Sequence, residues 1–343
     1  MSRRNGIHDG TVNVAILGCG RIAHHMAQTL HDMAGDERYS TLIRPYAVAT
    51  RDDDPRAERF ADRYGFDRAY GSYESMLADP EIDLVYVATP HAMHARHAIA
   101  CMMAGKNVLV EKSFTANEEQ ARKVLDVASQ TRLLCTEAIW TRYMPSRRII
   151  LDTLRSGVVG TPRQVYANLS YPVSDKARMT DPAMAGGALL DVGVYPINFV
   201  AMAFPEATPR SVTSSCVFTD RGVDEQFSAT FWLDNGVAAT IDSSMVSVGS
   251  RQGVIQGDKG YLIVENINNP ERISVFDADH RQIDKILFPD QITGYEYQVV
   301  SAAKAILEGA TQCEEMPHEE TLRIMRIMDS LRAQWGEVYP FEH

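Results

Sequence analysis

A chain of 343 residues, 45% hydrophobic and 23% charged, has room for about two domains with cores of their own, which excludes a small scaffold that needs disulfide or metal staples. Its 34 basic and 45 acidic residues leave a net charge of −11, which opposes attraction to nucleic-acid phosphates or to an anionic membrane. Cys19, Cys101, Cys135, Cys216 and Cys313 are widely spaced and form no C-x-x-C pair, so neither a disulfide framework nor a structural zinc is indicated. A reducing cytoplasm is the expected compartment. The first ten residues carry two arginines with no apolar core behind them, and no stretch approaches ~18 uninterrupted apolar residues, so neither a secretion signal nor a membrane span is expected.

Thr11 to Leu17 is a β-rich run ending in Gly18, and an apolar-periodic segment from Ile22 to Met33 follows, which predicts strand, tight turn and helix. Arg44 to Ala49 reads as a second strand. Asp53-Asp54-Pro55 comes next, where an aspartate N-cap and a proline at the first helical position would start a helix through Tyr64. Ile82 to Ala88 and Asn107 to Val110 read as third and fourth strands, separated by a helix from His91 to Ala104 that Gly105 closes. Strands alternating with helices indicate a parallel sheet with crossover helices over residues 1–130.

The pattern changes after about residue 130. Gln164 to Tyr171, Phe227 to Leu233, Val237 to Ser243 and Gly260 to Val264 alternate polar and apolar residues, and Asp234-Asn235-Gly236 supplies a hairpin turn that tolerates positive φ. Residues 131–343 are therefore expected to form a second domain on an antiparallel sheet. Its last helix spans Pro317 to Trp335, with Leu322, Met325, Met328 and Leu331 as core residues at helical spacing.

Gly18-Cys19-Gly20-Arg21-Ile22-Ala23 is a G-x-G-x-x-A turn between the first strand and first helix, where glycines let a pyrophosphate approach and rest on the positive end of the helix dipole. NAD enzymes present an acid at the end of the second strand to the ribose hydroxyls, but here Thr50 and Arg51 occupy that place. A guanidinium suits a 2′-phosphate, which favours NADP, with NAD as the alternative cofactor. The other reading leaves Arg51 in solvent and turns Asp52 back to the ribose.

At Val108 to Phe114 the chain reads V-L-V-E-K-S-F, and at Ala185 to Tyr195 it reads A-G-G-A-L-L-D-V-G-V-Y. With G-C-G-R-I-A, Ala88-Thr89-Pro90 followed by His94, and the segments 137–145, 257–260, 294–297 and 316–320, the chain resembles the Gfo/Idh/MocA oxidoreductases over nearly its whole length. The E-A-x-W-T-R segment and the tyrosine of D-V-G-V-Y make it most similar to the branch of dimeric dihydrodiol dehydrogenases and NADP-dependent D-xylose 1-dehydrogenases. The resemblance implies an N-terminal Rossmann domain, doubly wound on a parallel sheet, and a C-terminal α/β domain with a large open, mainly antiparallel sheet for substrate binding and dimerisation. It adds Thr89, Pro90, His94 and Glu111 to the cofactor residues, and Trp140 and Arg142 to the substrate residues. Trp140 reads equally as core and Arg142 as surface. Two departures stand out: Ser113 replaces the proline of the family's E-K-P, which loosens how Lys112 is aimed, and Tyr195 stands where many members carry histidine.

Lys112 follows the fourth strand, at the sheet edge where doubly wound folds bind ligands. Asp191 and Tyr195, four residues apart, are expected on one helix face. The resemblance implies that Tyr195 exchanges the hydroxyl proton while hydride passes between nicotinamide and substrate carbon. A tyrosine of ordinary pKa ~10 is a poor base, and a neighbouring Lys112 ammonium would favour the phenolate. Asp191 would orient a substrate hydroxyl or balance the lysine. His91, His94 and His97 recur every three residues and His24-His25 begin the first helix, but no acid or cysteine stands at complementary spacing, so no metal is expected. The function expected is NADP-dependent dehydrogenation of a sugar, polyol or trans-dihydrodiol by a homo-oligomer. The alternatives are an inositol or keto-sugar dehydrogenase and a non-catalytic dinucleotide-sensing regulator.

Overall fold

The computed structural model describes residues 10–51 and 54–342, which fall into two compact units. The first unit comprises residues up to Tyr143 together with Gln291–Leu322, and the second Met144–Asp290 with the chain from Arg323 onward.

Six parallel strands build the first unit: β1 (Val12–Leu17), β2 (Ile43–Ala49), β3 (Arg68–Tyr70), β4 (Leu84–Val87), β5 (Asn107–Glu111) and β6 (Cys135–Ala138). Their order, β3-β2-β1-β4-β5-β6, is that of a dinucleotide-binding doubly wound sheet. Every residue of β4 and β5 is buried, as expected of strands covered on both faces. The covering helices are α1 (Arg21–Ala34), α2 (Arg56–Tyr64), α3 (Tyr73–Leu77), α4 (His91–Met103) and α5 (Glu118–Thr131).

Three expectations shift here. Lys112 follows the fifth strand, not the fourth, because three-residue β3 is too short to show a period. The parallel sheet runs past residue 130, since β6 pairs with β5. Pro55 is itself the N-cap of α2, with Asp54 accepting the Arg56 amide at 2.9 Å, so that helix starts one residue later than the sequence implies. Asp52 and Asp53 lie outside the described residues.

The second unit begins with α6 (Pro145–Arg155) and carries β7 (Pro162–Ser170), the one-turn α7 (Ala177–Thr180), α8 (Val194–Ala203), and β8 (Pro209–Phe218). The remaining strands are β9 (Asp224–Leu233), β10 (Ala238–Ser244), β11 (Gly253–Gly257), β12 (Gly260–Glu265), β13 (Arg272–Asp277) and β14 (Gln282–Leu287). The eight strands order as β14-β13-β12-β11-β7-β10-β9-β8. All neighbours are antiparallel except β7 and β10, so the sheet is mixed and mostly antiparallel. Gly236 takes φ 85° in the β9–β10 turn, as Asp234-Asn235-Gly236 predicts.

One face of this sheet makes the core. Phe227, Ala229, Phe231 and Leu233 of β9 point inward, while Ser228 and Trp232 are exposed. Helix α8, buried at every residue, packs against β7 and β10. The stretch Pro182–Ala203 is long and apolar enough to cross a membrane by length and composition, which the sequence reading did not expect, but 78% of its most apolar window is buried in the fold. The chain ends with α9 (Glu296–Glu308) and α10 (His318–Trp335), where Met325, Met328 and Leu331 are fully buried.

Candidate active site

The nucleotide turn is built by sterics at the top of β1. Gly18 takes φ 106° and donates its N–H to the Ala49 carbonyl at 3.0 Å, and a Cβ there would lie 3.1 Å from the Ala88 oxygen. Gly20 is the N-cap of α1, whose first turn has no side-chain cap and no acid. A Cβ on Gly20 would meet only the Ala88 oxygen at 3.9 Å, so protein packing does not demand glycine there. Close approach of a phosphate to the bare helix N-terminus does, so the residues fit a dinucleotide. Arg21 is exposed and Ile22 half-buried at the head of the helix, and Ala23 is buried, allowing α1 to lie close on the sheet. Burial pushes the Cys19 thiol up to about 11, so it stays neutral.

At the end of β2, Thr50 is buried and donates its hydroxyl to the Asp54 carbonyl at 3.0 Å, shaping the turn, while Arg51 is exposed. Pro90 caps α4, and the Thr89 hydroxyl lies 3.0 Å from His97 Nδ1. Burial pushes His97 down to about 4, keeping it neutral. His94 is buried, with Nδ1 2.9 Å from the Ser113 carbonyl and Nε2 2.7 Å from the Thr89 carbonyl. It thus ties the loop after β4 to the loop after β5. Among the described residues, no group of three or more His, Cys, Asp or Glu side chains is arranged to hold a metal ion.

Lys112 leaves the carboxyl end of β5, and its peptide bond to Ser113 is cis. The loop is held from below. Buried Glu111 accepts the Lys112 amide at 3.1 Å and the Tyr86 hydroxyl, and Glu137 of β6 accepts the Phe114 amide at 3.1 Å. Burial pushes the Glu137 carboxyl up to about 7. Arg142 is only 2% exposed and pairs with Glu320 at 2.5 Å, so it is a buried charge, not a surface one. Trp140 stacks on Tyr295 with centroids 4.2 Å apart and planes 5° apart. Gly294, at φ 95°, leaves room for that indole, which a Cβ would approach to 2.7 Å. Glu296 shapes the loop by accepting the amides of Ile292, Thr293 and Gly294 at 2.8, 3.1 and 2.7 Å. Beyond the resemblance of segment 294–297, no spacing or motif in the sequence points to a role for Tyr295 or Glu296.

In the second unit, the A-G-G-A-L-L-D-V-G-V-Y segment is a packing device as well as a motif. A Cβ on Gly186 would meet the Met179 oxygen at 2.5 Å, and one on Gly193 would meet the Phe227 ring at 2.6 Å. Leu189–Gly193 is a π-helical turn that runs into α8, a widening often found at functional sites and not visible in apolar spacing. Asp191 sits in this turn and accepts from both terminal guanidinium nitrogens of Arg178, Nη1 to Oδ1 at 3.0 Å and Nη2 to Oδ2 at 3.3 Å. Arg178 is a partner the sequence did not single out, 13 residues away and without a motif. Tyr195 stands buried in the first turn of α8. Lys112 therefore belongs to the first unit, and Asp191 and Tyr195 to the second.

Comparison with known proteins gives the same assignment for both units. Residues 12–138 match the oxidoreductase family GFO_IDH_MocA, NAD-binding Rossmann fold, and residues 148–263 match the GFO/IDH/MocA C-terminal domain. The chain is 30% identical to a trans-1,2-dihydrobenzene-1,2-diol dehydrogenase of Danio rerio over 333 residues, covering 94% of this chain and 97% of that protein. It is 32% identical to a D-xylose 1-dehydrogenase (NADP(+)) of Hypocrea jecorina over 329 residues, 86% of this chain and 84% of that one. Among solved structures, KijD10, a 3-ketoreductase from Actinomadura kijaniata in complex with NADP and TDP-benzene, superimposes with a TM-score of 0.83 at 26% identity, covering 94% of this chain and 97% of that chain. The bare α1 terminus, the lysine that follows β5 and these matches together make the chain an NAD(P)-dependent oxidoreductase of the Gfo/Idh/MocA family.

Proposed function

We propose that the protein transfers hydride between NADP and a hydroxyl or carbonyl carbon of a sugar, polyol or trans-dihydrodiol, with Lys112 and Tyr195 as the chemical pair. The observation that carries this reading is that both polar groups of the pair are kept on built supports. Lys112 rides on a loop fastened by Glu111, His94 and Glu137, and Tyr195 on a helix whose every residue is buried. A protein that only senses the dinucleotide has no use for either. The relatives that act on a dihydrodiol and on D-xylose support the substrate class.

Gly18, Gly20, Arg21 and Ile22 would hold the pyrophosphate, Thr50 and Arg51 the adenosine end, and Thr89, Pro90, His94 and Glu111 the nicotinamide end. The bound cofactor supplies the hydride acceptor or donor. In oxidation, the Tyr195 phenolate takes the proton of the substrate hydroxyl, and the Lys112 ammonium hydrogen-bonds the same oxygen and stabilises the charge that develops on it. Asp191, fixed by Arg178, presents a carboxylate edge to a neighbouring substrate hydroxyl. Trp140, backed by Tyr295, forms an apolar wall for a ring, and Arg142 supports that wall from within. Preference for NADP rests on Arg51, exposed where an NAD enzyme places an acid.

The reading includes a cytoplasmic location, supported by five free cysteines, and a homodimer joined through the uncovered face of the eight-stranded sheet, where Trp232 is 55% and Tyr166 39% exposed. The test is a screen of aldoses, inositols, keto-sugars and trans-dihydrodiols, following NAD(P)H absorbance with NADP and NAD side by side. Turnover of an aldose or diol, faster with NADP, is expected. Turnover of inositols or keto-sugars alone would move the substrate class.

A further inference from the structure

Behind the helix that bears Asp191 and Tyr195 lie two carboxyl groups that the proposed reaction does not use. Asp224 opens β9 and is fully buried, and Glu337, just past α10, is 4% exposed. The Asp224 amide donates to Glu337 Oε1 at 3.0 Å, and Asp224 Oδ2 accepts the Leu189 amide, the first of the π-helical turn, at 2.7 Å. A Cβ on Gly187 would lie 2.0 Å from Asp224 Oδ1, so the carboxyl rests directly against the backbone of the Gly186-Gly187 step. The Tyr339 hydroxyl donates to the Gly186 carbonyl at 3.0 Å and fastens the same step from the chain's C-terminal segment.

An apolar pair of similar volume would fill this space without the loss of hydration that a carboxyl suffers when taken out of water. What an apolar side chain cannot do is accept the Leu189 N–H, one of the donors a helix start leaves without an internal partner. We propose that Asp224, backed by Glu337, is a positioning residue that anchors the first amide of the π-helical turn and so sets where Asp191 and Tyr195 are aimed. The catalytic meaning of that aim rests on the function proposed above for Tyr195.

Burial raises both carboxyls, with the charge of Glu337 adding to the rise at Asp224 and that of Glu342 adding at Glu337, so that Glu337 reaches about 7 and Asp224 stands well above its usual value and the pair retains a proton near neutrality. Asp224 Oδ1 and Glu337 Oε2 have no hydrogen-bond partner, which leaves room for that proton on either. Facing the pair are Cys216 from β8, Arg332 from α10, and Tyr339 and Glu342 from the C-terminal segment. Arg332 is engaged by Glu342, by Asp329 at 3.6 Å and by the Tyr339 ring at 4.2 Å, so it does not neutralise a second charge on the pair outright. As pH rises through about 7 Glu337 ionises, and Asp224, held up by burial and by the Glu337 charge, gives up its proton only at higher pH, where two like charges stand behind the turn and weaken the anchor.

The test is amide hydrogen exchange over residues 186–200 in the full chain, corrected for intrinsic rates, in wild type, Asp224→Asn and Asp224→Ala. Protection at Leu189 to Tyr195 should fall about tenfold above neutral pH in wild type, stay flat with pH in Asp224→Asn, and be low throughout in Asp224→Ala. Equal protection in wild type and Asp224→Ala overturns the anchor. If the alanine variant does not fold, the same pH profile in wild type and Asp224→Asn overturns it instead. With a substrate from the panel, Asp224→Ala should lower kcat with NADPH affinity unchanged, and cost nothing further in a Tyr195→Phe background. An additional loss in that background contradicts action through Tyr195. Absence of any turnover removes the catalytic reading while the exchange result still decides the anchor.

Discussion

Arg51 and Glu137 each carry a claim that one substitution can test. Arg51 lies exposed where an acid would repel a 2′-phosphate. If Arg51 holds the 2′-phosphate as proposed, its replacement by alanine should weaken NADPH binding by about tenfold to a hundredfold while leaving NADH nearly unchanged, as read by fluorescence titration. Equal losses would place the 2′-phosphate elsewhere. Glu137 has its folded pKa raised to about 7 from an ordinary 4.5, so the folded chain holds a proton that the unfolded chain releases. Its stabilising share is full below about 4.5, is lost as pH rises to about 7, and is flat beyond. The unfolding free energy of wild type, from denaturant titration, should therefore fall relative to that of Glu137→Gln across that window, by up to about 3 kcal/mol. A difference that does not change with pH would mean that Glu137 is ionised throughout. The same carboxyl shows how residue-level legibility stops: E-A-x-W-T-R drew attention to Trp140 and Arg142, but nothing in the chain announces that Glu137 reaches the Phe114 amide 23 residues earlier.

Elements with strong local periods were readable. The β1–α1 turn, the β9–β10 hairpin and the apolar stripe of α10 each follow from neighbours in sequence. Other elements left no such trace. β8 carries serines and threonines with no fully buried position, and β14 has no buried residue, so neither has a one-sided apolar pattern. β7 pairs in parallel with β10 some 74 positions away, a choice made by the sheet and not by either strand. The return of residues 291–322 to the first unit has no compositional marker. The glycines of the A-G-G-A-L-L-D-V-G-V-Y segment were read as a family motif, and their physical reason is contact. Gly193→Ala drives a methyl into the Phe227 ring, 2.6 Å away, and should lower stability by about 1–3 kcal/mol in a denaturant titration followed by second-unit probes. A neutral result would mean that Phe227 moves freely, which its contact with Trp335 at 5.3 Å argues against.

Across the whole molecule, a net charge of −11 is compatible with an NAD(P) cofactor when the attraction is local, as the bare terminus of α1 and the exposed Arg51 would provide. The eight-stranded sheet leaves Trp232 and Tyr166 on its uncovered face, and light scattering should give twice the 38.2 kDa of one chain, with Trp232→Glu reverting to a monomer. A monomeric wild type would remove the dimer. Hydride transfer by Lys112 and Tyr195 is decided by single-turnover NADPH formation from a substrate of the panel in wild type, Lys112→Met and Tyr195→Phe. All three proteins should bind NADPH alike, and both variants should lose turnover by about 100-fold or more. Tight NADPH binding with no transfer by wild type across aldoses, polyols and trans-dihydrodiols, or variants as fast as wild type, would contradict it.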